Sequence, residues 1–179
     1  PLSSLTISGL TPFTTYYLRA GAINWNSVVN YVTFGSTRTD AGGAVNAAHI
    51  TQVYVSSVTT TWLALTGGSG NTGYVLEASL TDFGAVVASS ITTDVALSTL
   101  SFNYGTLNPD TTYYVRVGVL YNGATNYAST LSTASLTNLL SPSVLSVSGL
   151  TVRAGWPAFA VGSGTNTAQG YRLEAYSDA

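Results

Sequence analysis

A ten-residue segment of this chain occurs twice. Leu10-Thr11-Pro12-Phe13-Thr14-Thr15-Tyr16-Tyr17-Leu18-Arg19 returns as Leu107-Asn108-Pro109-Asp110-Thr111-Thr112-Tyr113-Tyr114-Val115-Arg116, displaced throughout by 97 positions. Tyr74-Val75-Leu76-Glu77-Ala78 returns as Tyr171-Arg172-Leu173-Glu174-Ala175 with the same displacement, and Trp62 returns as Trp156, displaced by 94. The slippage falls in a Gly/Ser/Asn-rich loop, where a change of length costs little. A period near 97 is the size of one small domain, so the chain is expected to be an array of like units. Two units would need 194 residues, 15 more than the 179 present, and the repeats place neither end at a unit boundary. Residues 1–45 are read as the second half of one unit, 46–138 as a complete unit, and 139–179 as the first half of a third. The small-residue stretch 40–48 and the Leu140-Ser141-Pro142 step are the expected linkers.

Within the complete unit the apolar residues alternate. Tyr113, Val115, Val117 and Val119 share one face of a strand, a period of two that a helix cannot use. Comparable short runs lie at 51–55, 62–66, 74–80, 85–89, 97–102 and 127–131, separated by Gly, Asn, Asp and Ser. The pattern predicts seven strands in an all-β sandwich and no amphipathic helix. Asn122-Gly123, between the sixth and seventh runs, predicts a two-residue turn with positive φ that joins those strands in a hairpin.

The pattern Leu107-x-Pro109-x-Thr111-x-Tyr113-x-x-x-Val117, repeated as Leu10, Pro12, Thr14 and Tyr16 with Ala20 at the last position, resembles the E-to-F corner of a fibronectin type III domain. The resemblance spans the chain as half, whole and half domains. It implies an immunoglobulin-like sandwich and a tyrosine corner at Tyr16 and Tyr113, each with ring packed inward and hydroxyl bonded to backbone upstream. Leu10, Pro12, Leu107 and Pro109 are the matching structural positions.

Composition removes several functions. Only 7% of residues are charged; there are five Arg, no Lys, five Asp and two Glu, for a net charge of -2 and a pI near 4.9. Such a surface cannot neutralise a row of phosphates or attract an anionic bilayer, so neither nucleic acid nor a membrane surface is an expected partner. Solubility falls to 22 Ser and 27 Thr. The unbroken apolar runs are short, 158–161 being typical, so membrane insertion is not expected either. Absence of Cys removes disulfides and thiolate metal sites. The sequence opens at Pro1 without a basic n-region or an apolar signal core, as a processed terminus or a cut would.

No catalytic constellation emerges. Gly68-Ser69-Gly70-Asn71-Thr72-Gly73 matches the GxGxxG fingerprint literally, but a dinucleotide needs a helix N-terminus after the glycines and a strand follows here. His49 is the sole imidazole, expected in a linker without a carboxylate to orient it. The carboxylates are scattered, with Glu77 and Glu174 at equivalent strand positions that imply a repeated structural role. No metal-ligating cluster and no cofactor motif are present, and an enzyme is not expected. Candidate ligand contacts are Trp25, in the Asn24-Trp25-Asn26-Ser27 hairpin, and Tyr121 with Asn122 in the equivalent hairpin, since an exposed aromatic flanked by amides suits a glycan or a neighbouring protein. Ser and Thr richness reads as uncharged β-forming surface or as O-glycan acceptors; no Asn-x-Ser/Thr sequon occurs.

These features point to a non-enzymatic structural protein, extracellular or at the cell surface, whose tandem sandwiches form a stalk, surface array or filament. Its expected partners are other copies or neighbouring repeats, with the half units completed between subunits or within a longer array. The rival is a carbohydrate- or protein-binding adhesive or accessory module of a larger secreted protein.

Overall fold

The computed structural model describes residues 3–65 and 70–177. The strands among them fall into three groups. β1 (Thr15–Ile23) and β2 (Val29–Arg38) form an antiparallel hairpin. Next come β3 (Asn46–Val53), β4 (Val58–Leu63), β5 (Gly73–Ser79), β6 (Val86–Thr92), β7 (Thr99–Ser101), β8 (Thr112–Tyr121), β9 (Ala124–Tyr127) and β10 (Leu131–Ala134), which build a sandwich. β11 (Ser143–Ser148) and β12 (Thr151–Gly155) form a second hairpin.

In the sandwich one sheet has the order β3-β4-β7 and the other β10-β8-β5-β6, with β9 also paired to β8. Lettered in chain order, these are sheets A-B-E and G-F-C-C′. The strand after C stays with C instead of crossing to E, and the result is an immunoglobulin-like, fibronectin type III-like sandwich.

Alternation along the strands explains the core. From β4 come Val58, Thr60 and Trp62; from β5, Tyr74, Leu76 and Ala78; from β8, Tyr113, Val115, Val117 and Val119, all buried. Each buried Val or Leu contributes about 1.5–3 kcal/mol relative to exposure. Trp62 lies across Tyr74 with ring centroids 5.1 Å apart at 53°. The core also holds Thr60 Oγ1 and Trp62 Nε1 without hydrogen-bond partners among the described residues, a cost of about 1–3 kcal/mol each that the surrounding apolar burial offsets.

Several expected boundaries shift. The first sandwich strand begins at Asn46, so His49 sits inside β3, and Val45 is already core. The run expected at 62–66 is the end of β4, which starts at Val58; residues 66–69 lie outside the described residues. The last strand, expected at 127–131, is two pieces, β9 and β10, both on the same edge of β8. At the turn between β8 and β9, Gly123 has φ 88° while Asn122 keeps negative φ, so one residue, not two, carries the positive-φ requirement.

The preceding segment is bonded to the sandwich. Tyr121 donates its hydroxyl proton to the Gly43 carbonyl at 2.7 Å, and Asn126 Nδ2 donates to the Gly42 carbonyl at 2.7 Å. A side chain at position 42 would collide with the Tyr121 phenol, which is why a glycine stands there. On the C-terminal side, Thr167 Oγ1 donates to Asp110 Oδ2 at 2.8 Å and Asn166 N to Asn138 Oδ1 at 2.8 Å.

Candidate functional site

The two tyrosine-corner segments have the same geometry. Asn108 N donates to Tyr113 Oη at 2.9 Å, and Thr11 N donates to Tyr16 Oη at 2.9 Å. Thr111 Oγ1 donates to the Pro109 carbonyl at 2.7 Å and Thr14 Oγ1 to the Pro12 carbonyl at 3.0 Å. Thr111 N donates to Ser135 Oγ and Thr14 N to Thr39 Oγ1, at 3.1 and 3.0 Å. Between each Pro and Thr lies a residue in left-handed backbone, Asp110 with φ 43° and Phe13 with φ 50°. Their surroundings differ: Leu107 and Tyr113 are buried, whereas Leu10 is exposed and Tyr16 half-buried. Pro12 and Pro109 are both half-buried. The hydrogen bonds from Thr11 hold the Tyr16 hydroxyl below its ordinary pKa.

On the outer face of the larger sheet lies an elaborate polar cluster. β5 and β8 pair with Glu77 opposite Arg116. Arg116 Nε and Nη2 donate to Glu77 Oε2 at 3.0 and 2.8 Å, and Tyr127 donates its hydroxyl to Glu77 Oε1 at 3.2 Å. The guanidinium is stacked between two rings, 3.8 Å from the Phe83 centroid and 3.6 Å from that of Tyr127. Gly118 makes room for this layer: a Cβ there would stand 2.8 Å from the Tyr127 ring and 2.6 Å from Thr125 Cγ2. Burial pushes the Tyr127 phenol above its ordinary pKa, and the Glu77 carboxylate adds to the rise. An ion pair held by hydrogen bonds and covered by rings is a fastener between strands.

Parts of this cluster and of the core recur in the flanking segments. On the N-terminal hairpin Arg19 lies 4.1 Å over the Tyr31 ring, and a Cβ at Gly21 would stand 2.9 Å from that ring. Near the C-terminus Trp156 lies across Tyr171 at 5.3 Å and 55°, as Trp62 lies across Tyr74. Leu65 N donates to Tyr74 Oη, and Phe159 N, also three residues after its Trp, donates to Tyr171 Oη. Glu174, the equivalent of Glu77, is exposed and contacts its neighbours Arg172 and Tyr176.

Trp25 stands fully exposed at the tip of the β1–β2 turn, which Asn24 shapes by accepting from Asn26 N and Val28 N. Tyr121 is different from its expectation: it ends β8 inside the core, 4% exposed, with its hydroxyl spent on Gly43, so it offers no face to a ligand. Burial, then Tyr74, raises its pKa. Asn122 is exposed beside it. His49 is exposed on β3, its ring nitrogens meeting the Ala47 carbonyl and Thr61 Oγ1 rather than a carboxylate. Of the GxGxxG match, Gly68 and Ser69 lie outside the described residues, and Gly73 opens strand β5. Among the described residues no group of three His, Cys, Asp or Glu is placed to hold a metal, and no helix is long and apolar enough to cross a membrane.

Sequence comparison at a fixed period does not find the Arg-Tyr-Gly layer. Arg19 and Arg116, Gly21 and Gly118 share the 97-residue displacement, but Tyr31 and Tyr127 are displaced by 96, which hides the third member.

No family model and no curated protein matches the chain. Among solved structures, domains d3-d4 of the rat CD45 extracellular region are similar at 18% identity and a TM-score of 0.45, covering 75% of this chain and 70% of that one. The chicken CNTN1 FN1-FN3 domains are similar at 18% identity and a TM-score of 0.41, covering 84% of this chain and 55% of that one. The FN5 domain of Drosophila Lar is similar at 17% identity and a TM-score of 0.42, covering 54% of this chain and 99% of that one.

Proposed function

We propose that this chain is a non-enzymatic, extracellular structural protein, in which fibronectin type III-like units follow one another in a stalk, surface array or filament. Residues 1–45 supply the second half of one unit, 46–138 a whole unit and 139–179 the first half of a third. The observation that carries this reading is the repetition of local geometry outside the sandwich. The corner at Tyr16 copies the corner at Tyr113 bond for bond, and the Trp156–Tyr171 pair copies Trp62–Tyr74. Segments that keep core-forming geometry while exposing their apolar residues are halves of something that closes. Ile23, Val32 and Phe34 on one hairpin and Val144, Val147 and Val152 on the other are all exposed. An almost uncharged Ser/Thr surface and the family resemblance support the extracellular setting.

Electron microscopy of the protein from its natural source tests the reading, together with its denatured intact mass. Linear particles are expected, with either a mass near 18.5 kDa and assembly by contact between chains, or a larger mass and one covalent array. Compact particles without a linear repeat contradict it. The full exposure of Trp25 favours a second reading, a carbohydrate-binding module. Retention on insoluble glycan that Trp25→Ala abolishes without unfolding the sandwich supports that reading; no retention of either protein removes it.

A further inference from the structure

We propose that β1 is the seat for residues 171–176 of a second copy of this chain, added as an antiparallel strand in the register that sets Glu174 against Arg19. The proposal rests on the reading of the flanking segments as half units, and it names what completes them.

In the sandwich β8 is covered on both edges, by β5 on one side and by β9 and β10 on the other. Its counterpart β1 pairs, among the described residues, with β2 alone. The edge of β1 that is unpaired among the described residues is therefore the one that β5 takes on β8, and an open edge is a template for a further strand. The counterpart of β5 is 171–176, which pairs with no strand among the described residues.

The sandwich supplies the register. Tyr74 pairs with Val119, Leu76 with Val117, Glu77 with Arg116 and Ala78 with Val115. Displacing both strands by 97 sets Tyr171 against Ala22, Leu173 against Ala20, Glu174 against Arg19 and Ala175 against Leu18. Apolar residues meet apolar residues on one face, and the two members of opposite charge meet on the other. A slip of one residue would reverse the faces and lose the match.

Both halves of the seat are already shaped. Arg19 rests on Tyr31 as Arg116 rests on Tyr127, but among the described residues no carboxylate forms an ion pair with it. Glu174 holds an exposed Arg on its own segment, a pairing that solvent weakens, and Arg19 replaces it. Beside β1, an open groove of about 480 Å³ is lined by Leu5, Ile7, Arg19, Ala20, Gly21 and Phe34 among others. Leu173 is 63% exposed where its counterpart Leu76 is fully buried, so this contact would bury it. Because the donor and the seat are different surfaces of one chain, each added copy presents a new vacant edge, and the contact propagates head to tail.

Sedimentation velocity of the whole chain over a concentration series tests this, with Arg19→Glu, Glu174→Arg and their equimolar mixture. Both residues are exposed and lie outside the sandwich, so thermal unfolding of the sandwich serves as the folding control. The unaltered chain is expected to self-associate. Each charge reversal should weaken association by about tenfold or more, since it juxtaposes like charges. The mixture should restore it to within about threefold, because the reversed seat of one variant then meets the reversed donor of the other, and the unaltered seat meets the unaltered donor. Glu174→Gln, which removes charge without repulsion, should fall between. A chain that stays near 18.5 kDa throughout, variants that associate like the unaltered chain, or a mixture that fails to recover would overturn the proposal. A monomeric chain, set beside linear particles of high intact mass from the natural source, sinks this seat alone. Compact particles there sink the structural reading with it.

Discussion

Replacing Glu77 by Ala tests whether the ring-covered ion pair fastens the sandwich. The substitution removes the acceptor of three hydrogen bonds, two from Arg116 and one from Tyr127. Breaking a fully buried pair costs about 3–5 kcal/mol, whereas an exposed pair is worth about 0–1 kcal/mol. The side chains here are 22% and 15% exposed, between those limits, and the guanidinium keeps both of its ring contacts when the carboxylate goes. The loss should be about 2 kcal/mol, midway between the exposed and buried cases. For a sandwich of about 90 residues, 1 kcal/mol moves Tm by about 4–8 °C, so Tm should fall by roughly 10 °C. Urea unfolding followed by circular dichroism gives the free energy. A double-mutant cycle with Arg116→Met isolates the pair, with a coupling of about 1 kcal/mol expected after solvent screening. A loss for Glu77→Ala below about 0.5 kcal/mol would place the pair among surface bridges despite its covering rings, and the pair would then not fasten the sandwich.

Tyr113→Phe should destabilise the sandwich by about 1 kcal/mol because it strips Asn108 N–H of its acceptor, while Tyr16→Phe leaves the unfolding of β3–β10 unchanged; chemical denaturation of both variants compares them. Gly118→Ala should cost at least as much, since its Cβ would stand 2.6 Å from Thr125 Cγ2 and 2.8 Å from both Tyr127 and Val75, and calorimetry measures the drop in Tm. Tyr127 and Tyr121 both have raised pKa values in the fold, chiefly through burial. Their contribution is therefore complete below the unfolded value of about 10 and lost as pH rises through the folded values. Thermal unfolding between about pH 9 and 11 should show stability falling, less steeply in Tyr127→Phe.

The sandwich is legible in the sequence because its signals are local and of short period. Alternation at Tyr113, Val115, Val117 and Val119 marks β8, and its inward residues are the buried ones. Edges are harder. β3 starts at Asn46, within a small-residue run that resembles a linker, because pairing with β4 decides its extent and pairing is not written in local composition. The break between β9 and β10 has the same origin. Tyr121 misleads for a related reason: it borders a turn, but strand parity turns its ring inward and Gly43 takes its hydroxyl. Glu77 and Glu174 are recognisable as equivalents, yet the partner of Glu77 is not, because Arg116 lies 39 residues away and only the sheet brings them together. The turn at Trp25 is legible because Asn24, as the turn's acceptor, is local to it.

Hydrogen exchange of backbone amides in dilute and concentrated solution shows whether the flanking segments are halves that complete one another. Amides of β5 and β8 should be protected at every concentration, since the two strands pair with each other inside the sandwich. Amides on the open edge of β1 and in residues 171–176 should exchange rapidly when dilute and become protected together on concentration. Exchange there that stays rapid at all concentrations, with the sandwich protected throughout, would contradict it.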